Sequence, residues 1–340
     1  MCSPDQLRSP GTTSECETNA VAHVLGRCSC RRTLLKSALA FTIAPLIGRV
    51  PALASTTLTL SEIAPGIFVH QGRYELQSPE NRGDMSNASV IIGNDAVAVI
   101  DTLGSAQIGR ELRVAIKAIT DKPIRYVINT HMHPDHLFGN AAFKEDNPAF
   151  VGHHKLRRGL EARSQSYMAS SKNMLGDDAF AGSEIIYPTM SVDDTLTLDL
   201  GGRSLVCEAQ KTAHTDNDLI ITDSKTDTAF FGDLLFSGHI PTLDGSLRGW
   251  LALIDQLEGR KVARVVPGHG PHAMQLPGAI LPEKQYWSVV AADVRKFIKD
   301  GKDLMEATKT AGQSERPNWA LFDQYHVRNV TAAFAELEWE

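Results

Sequence analysis

Beyond residue 54 the chain holds a single cysteine, Cys207; the other four, Cys2, Cys16, Cys28 and Cys30, all come earlier. One thiol cannot close an internal disulfide, so no disulfide framework underlies the fold. Cys207 sits in the strand-like run Ser204-Leu205-Val206-Cys207 and reads as a buried structural thiol. Apolar runs are short as well. The stretch from Ala38 to Ile47 is about half of the ~20 residues a membrane span requires, which argues against a stable membrane anchor. Basic charge is in deficit: 34 Lys and Arg stand against 40 Asp and Glu, a net charge of −6. Phosphate backbones need a basic surface, so a nucleic-acid partner is disfavoured. No Gly-x-Ser-x-Gly elbow is present to raise a nucleophilic serine. What remains is ordinary globular material, 340 residues of which 42% are hydrophobic, enough for a sizeable core.

The N-terminal region has a different character. Arg31-Arg32-Thr33-Leu34-Leu35-Lys36 precedes the short apolar run, and Pro51-Ala52-Leu53-Ala54-Ser55 follows it. A charged region, a short apolar region and an Ala-x-Ala site make a secretory signal. The paired arginines resemble the twin-arginine export signal. The expectation is a cleaved signal peptide over residues 1–54 and a single exported, periplasmic domain over 55–340. Cleavage removes six basic and three acidic residues, leaving 28 and 37 in 286 residues, a net charge of −9.

Strands dominate the first half of that domain. Short β-rich runs stand at 66–71, 88–93 and 96–100, the last two around the turn Asn94-Asp95. Ile108, Leu112, Ala115, Ile116 and Ile119 recur at helical spacing, and Pro123 ends that helix. Residues 124–129 form a buried-strand run, a short helix is expected from Leu137 to Phe143, and another strand begins at Phe150. Residues 155–190 are polar and mostly helical or irregular. Strands resume at 196–200, 204–209, 218–222, 228–231 and 264–266, with a helix at 246–258 and a helical tail from about Glu283 to Ala311. No repeat and no linker divides this region. Hairpin-linked strands in two halves, interspersed with helices, fit an α/β architecture of two sheets covered by outer helices.

The densest chemistry lies where the 124–129 strand ends: Thr130-His131-Met132-His133-Pro134-Asp135-His136. A lone histidine is usually a satisfied core or surface residue. Three within six positions beside a carboxylate point to metal. His131 and His133 can converge on one ion, while Pro134 stiffens the turn and lets Asp135 and His136 project towards a second. Such nitrogen and oxygen donors suit zinc, and iron or manganese also fit. Four donors cannot complete two ions. His214, Asp233 and His269 each follow a strand and precede a loop, where a rigid sheet can aim them into one cleft.

Taken in order, Asp101, the 131–136 cluster, His214, Asp233 and His269 resemble the motifs of the metallo-β-lactamase superfamily, over nearly all of 60–272. The resemblance implies an αββα sandwich with two zinc ions at one edge of its two mixed sheets. By position, His131, His133 and His214 would bind the first ion, and Asp135, His136 and His269 the second. Asp233 would bridge them, and Asp101 would orient the metal loop without binding. An Asp at the bridging position is similar to the glyoxalase II and lactonase branches rather than to the antibiotic-hydrolysing enzymes. The stretches Asn81-Arg82-Gly83-Asp84, 212–218 and 244–250 are most like the exported quinoprotein relay system zinc metallohydrolases and their sulfur-oxidation-linked relatives. A periplasmic quinoprotein dehydrogenase system is the partner this implies.

The expected chemistry is hydrolysis of a small ester, thioester or lactone by a metal-bound hydroxide, with Asp135 orienting it and handling its proton. Three other readings stand beside it: a mononuclear iron persulfide dioxygenase, a β-lactamase, and a non-enzymatic accessory protein of the quinoprotein system. His239, Asn87 and Arg82 are the candidates for the substrate pocket.

Overall fold

The computed structural model describes residues 58–340; the expected signal peptide lies outside them. Strands β1 (Ser61–Ala64), β2 (Ile67–His70), β3 (Ala88–Ile92), β4 (Val97–Ile100), β5 (Ile124–Ile128), β6 (Ala149–His153) and β7 (Met190–Val192) form one seven-stranded sheet in that order. Pairing is antiparallel from β1 to β4 and parallel from β4 to β7. The second sheet holds β8 (Thr195–Asp199), β9 (Ser204–Ala209), β10 (Leu219–Asp223), β11 (Thr228–Phe236) and β12 (Arg264–His269), with β12 at one edge and β8 at the other. Only its β11–β12 pair is parallel.

Parallel neighbours need crossovers, and helices supply them. Helix α1 (Ala106–Ile119) joins β4 to β5, α2 (Pro134–Leu137) and a 3-10 stretch join β5 to β6, and α3 (Leu156–Phe180) joins β6 to β7. Helix α4 (Leu247–Glu258) joins β11 to β12, and α5 (Leu281–Lys299), α6 (Leu304–Thr310) and α7 (Phe322–Leu337) follow. Ser105 and Ser246 cap α1 and α4, each side chain accepting a backbone N–H three residues on.

The period-2 alternation of the strands sorts side chains into layers. In β4, Val97 and Val99 pack with Ile108, Leu112 and Ile116 of α1, whereas Ala98 and Ile100 face the other sheet. In β10, Leu219 and Ile221 face the first sheet, and Ile220 packs among the residues of α4, α5 and α7. The result is the expected four-layer αββα sandwich of two mixed sheets. Cys207 is buried in the layer between them, where burial pushes its thiol up to about 12. Among the described residues no helix is long and apolar enough to cross a membrane.

Several boundaries differ from the sequence reading. The helix expected over 137–143 is α2, starting at Pro134, followed by a 3-10 stretch over Phe138–Asp146. Strand β11 runs on to Phe236, which pairs with His269 of β12, and every one of its residues is buried, polar Asp233 included. The chain also adds β1 before the first expected strand and α7 after the expected tail.

Candidate metal centre

All seven residues singled out as donors meet at one edge of the sandwich. His131 and His133 follow β5, and Asp135 and His136 lie in the single turn of α2. His214 sits in the β9–β10 loop, Asp233 in β11, and His269 ends β12. Leu219 N–H donates to Thr130 O (2.8 Å) and Asn87 N–H to Gly268 O (2.7 Å), tying the two sheets together beside the site. The β11–β12 register slips on both sides of Gly232, an irregularity of the kind that re-aims a side chain. Gly232 is at φ +52°, and a Cβ there would meet Thr130 Cβ at 2.6 Å. A Cβ on Gly268 would lie 2.0 Å from Asp233 Oδ1, so only glycine leaves that carboxylate its place.

Each histidine is held by its outer nitrogen. His131 Nδ1 donates to Thr130 Oγ1 (3.0 Å), whose own proton goes to Asp101 Oδ2 (2.7 Å). His136 Nδ1 donates to the same Asp101 oxygen (2.8 Å), and Asp101 Oδ1 accepts from Thr130 N–H (2.9 Å). His133 Nε2 donates to Asp244 Oδ2 at 3.0 Å, His214 Nδ1 to Thr242 O at 2.7 Å, and His269 Nδ1 to Met85 O at 2.8 Å. Outer acceptors of this kind fix the tautomer of a neutral ring, so each inner nitrogen turns a lone pair into the cleft once a bound cation displaces its proton.

Those inner atoms fall into two groups: His131, His133, His214 and Asp233, and Asp135, His136 and His269, the donor atoms within each lying within 4.8 Å of one another. Asp233 belongs to both by geometry. Its Oδ2 lies 3.4 Å from His214 Nε2 and 3.7 Å from His131 Nε2, and its Oδ1 lies 3.1 Å from His136 Nε2 and 3.5 Å from His269 Nε2. Asp135 Oδ2 is 3.3 Å from His136 Nε2 and 3.2 Å from His269 Nε2.

Charge at the site favours a cation. Burial penalises the carboxylates of Asp135 and Asp233, yet the facing imidazoles hold both well below the usual range. Burial penalises a protonated His136 too, yet Asp233, Asp135 and Asp101 hold it well above the ordinary value. Against the same penalty, Asp233 and Asp135 push His269 up to about 9. His131 is lowered by burial and by His136, and His214 falls to about 3, chiefly through burial. His131 Nε2 and Asp233 Oδ1 are buried without a hydrogen-bond partner, a costly arrangement unless something else satisfies them. Imidazole and carboxylate donors that face inward and are anchored outward, two of them with no other partner, suit a divalent metal.

A cleft of about 340 Å³ opens over these residues. His239 lines it, as the sequence reading expected; its Nδ1 donates to Ile240 O (2.6 Å), and its buried Nε2 has no partner. The other two pocket candidates lie elsewhere. Arg82, at φ +55°, is drawn off by Glu111 of α1 (2.6 and 3.2 Å). Asn87 is a buried clamp, donating to Pro267 O (2.9 Å) and Gly270 O (3.2 Å) and accepting from Gly72 N–H (3.1 Å). Sequence reasoning missed Arg163, Tyr167, Tyr325 and Arg328, which wall the cleft from α3 and α7. It also missed Thr242, whose contribution is a backbone carbonyl and has no sequence signal, and Asp244.

Comparison with known proteins agrees with this architecture. A family model described as Metallo-beta-lactamase superfamily matches residues 81–269. The chain is 22% identical over 220 residues to a metallo-beta-lactamase type 2 of Bacillus sp. (strain 170), covering 63% of this chain and 77% of that protein. It is 40% identical over 57 residues to the alkyl/aryl-sulfatase BDS1 of Saccharomyces cerevisiae, a match spanning 16% of this chain and only 9% of the sulfatase. Among solved structures, a metallo-beta-lactamase from Pontibacter korlensis superposes with a TM-score of 0.55 at 19% identity, covering 68% of this chain and 99% of that one.

Proposed function

The chain belongs to the metallo-β-lactamase superfamily and is a metal-dependent hydrolase, and from that premise we propose that it holds two zinc ions and hydrolyses a small ester, thioester or lactone. One observation carries the reading: Asp233 offers one oxygen to each of two groups of inward-facing donors. His131, His133 and His214 would hold one ion, Asp135, His136 and His269 the other, and Asp233 would span both. Two ions so held would lower the pKa of water towards neutrality and polarise the scissile bond. The carboxylate of Asp135, ionised and opening on the cleft, is placed to take a proton from the attacking water and pass it to the leaving group. Asp101 fixes His136 and the strand end at Thr130, so the donors need not reorganise during turnover.

The walls of the cleft suggest a substrate with an apolar body. Leu76, Met85, Met174 and Phe236 supply that surface, and Arg163 and Arg328 stand at its rim. Metal counting on protein made without added zinc, followed by a panel of carboxylic esters, thioesters, lactones and alkyl sulfates, tests the proposal. Two zinc ions and turnover of one of the first three classes are expected. Turnover of alkyl sulfates alone would shift the reading towards the activity named for the yeast relative. A single iron with no zinc would replace it by an iron oxygenase, and two bound ions with no turnover by an accessory role.

Export to the periplasm, next to a quinoprotein dehydrogenase system, is the setting that Arg31-Arg32 and the Asn81–Asp84 stretch support. Changing both arginines to lysine should keep the precursor in the cytoplasm. Normal periplasmic accumulation of that double variant would remove the export proposal.

A further inference from the structure

Helix α7 lies wholly beyond the residues that match the family model, yet it grips the segment that holds two of the metal-centre histidines. That segment runs from Ser237 to Ser246. Its Thr242 carbonyl accepts from His214 Nδ1, and its Asp244 accepts from His133 Nε2. Segments without secondary structure hold a carbonyl in place only if their own backbone groups are tied down. Asn329 of α7, fully buried, does this on both sides of Thr242. Its Oδ1 accepts from Leu243 N–H (3.0 Å) and its Nδ2 donates to Pro241 O (2.7 Å). The amide thus brackets Thr242: it holds the N–H of the same peptide unit whose carbonyl orients His214, and the carbonyl of the unit before it.

The bracket is anchored in turn. Asn329 Nδ2 also donates to Tyr286 Oη of α5 (2.9 Å), Tyr286 donates to His326 Nδ1 (3.0 Å), and His326 Nε2 donates to Ala311 O (2.7 Å). Every donor and acceptor along that buried chain has a partner of the correct sense, which makes the arrangement stiff and a single deletion costly.

Resting on the two-ion reading above, we infer that Asn329 is a positioning residue for the first ion, acting through Thr242 O on the tautomer and aim of His214. Disturbing an outer partner of a metal-binding histidine lowers metal affinity ~10–100-fold. Asn329→Asp keeps the acceptor for Leu243 but loses the donor to Pro241, and Asn329→Leu removes both. Val330→Ala, one residue on and equally buried, trims the same helix without touching the bracket.

Zinc or cobalt titration of the full chain, with melting temperature measured on each sample, reads the effect. Both Asn329 variants should lose ~10–100-fold in affinity for one of the two ions and keep the other. Val330→Ala should keep both at a similar loss of melting temperature. A second readout needs no metal: the nitrogen-15-coupled proton signal of His214 Nδ1–H, protected by Thr242 O, should weaken or exchange faster in the Asn329 variants alone. Unchanged affinities together with an unchanged His214 signal, or equal losses in Val330→Ala, would overturn the inference. If the unaltered chain binds fewer than two ions, the two-ion reading falls, and the His214 signal alone decides the role of Asn329.

Discussion

His133 turns its Nε2 outward to Asp244 Oδ2 at 3.0 Å, which leaves Nδ1 as the nitrogen facing His214 Nε2, 2.9 Å away. Asp244 is shared: Arg163 reaches the same oxygen at 2.5 Å and Arg328 the other at 3.4 Å. Burial disfavours its charge, but His133 and Arg163 hold the carboxyl well below the usual range. One carboxylate therefore links the centre to α3 and α7.

Asp244→Ala frees His133 to rotate or change tautomer and leaves two guanidinium groups without their anion. Metal affinity at the first group should fall ~10–100-fold, measured by zinc titration, with the fold retained in circular dichroism. Full affinity for both ions in the variant would show that His133 is aimed by packing alone.

Much of this centre was legible before the fold was known, for a physical reason. Zinc-type centres draw their donors from His, Cys, Asp and Glu, so the 131–136 cluster, His214, Asp233 and His269 showed as residue types, and rigid strands had to place them. The layers were legible too, because Val97-Ala98-Val99-Ile100 alternates between two cores. What stayed hidden acts through backbone or through distance. Thr242 and Met85 contribute carbonyls, which any residue could supply. Arg328 and Tyr325 reach the cleft from a helix some 190 residues beyond the first cluster, and nothing local marks them. Arg82 and Asn87, expected in the substrate pocket, are instead spent on Glu111 and on backbone near Gly268, partners that lie far off in sequence.

Asp233→Asn keeps the shape of the bridging side chain and removes its charge. Two dications a few ångströms apart repel, and a shared anion offsets that. One ion should be lost or bound at least ~10-fold more weakly, with turnover falling in step. Two metals and near-normal turnover in the same sample would rule out the bridging role.

His239 presents a neutral ring, its pKa lowered to about 4 chiefly by burial, packed 4.8 Å from the His269 ring and 5.4 Å from that of Tyr325. His239→Phe keeps the ring and removes the unpaired Nε2. Both metals should stay, and melting temperature should change little, since an orphaned buried nitrogen and the lost bond to Ile240 roughly offset. If Nε2 accepts a hydrogen bond from substrate, kcat/KM should fall roughly 2- to 12-fold, the worth of one neutral hydrogen bond. Unchanged kcat/KM across the whole substrate panel would make His239 a packing residue.

Glu283 gives a stability test at a group that is not itself a metal donor. It lies in the first turn of α5, fully buried, with Oε2 accepting from Phe236 N–H at 3.3 Å. Burial raises its carboxyl well above the ordinary 4.5, so the folded protein holds it as a neutral acid while the unfolded chain ionises it. The folded state then binds more protons than the unfolded one, and stability must fall as pH rises. The contribution is complete below pH 4.5 and is lost progressively above it, towards the raised folded value. Glu283→Gln cannot ionise, so it escapes that loss. Melting curves of the two proteins, with equal zinc, should therefore diverge as pH increases from 5 to 8, the variant gaining on the parent at each step. A constant gap across that range would mean that Glu283 is ionised in the folded protein, and that a positive charge reaches it there.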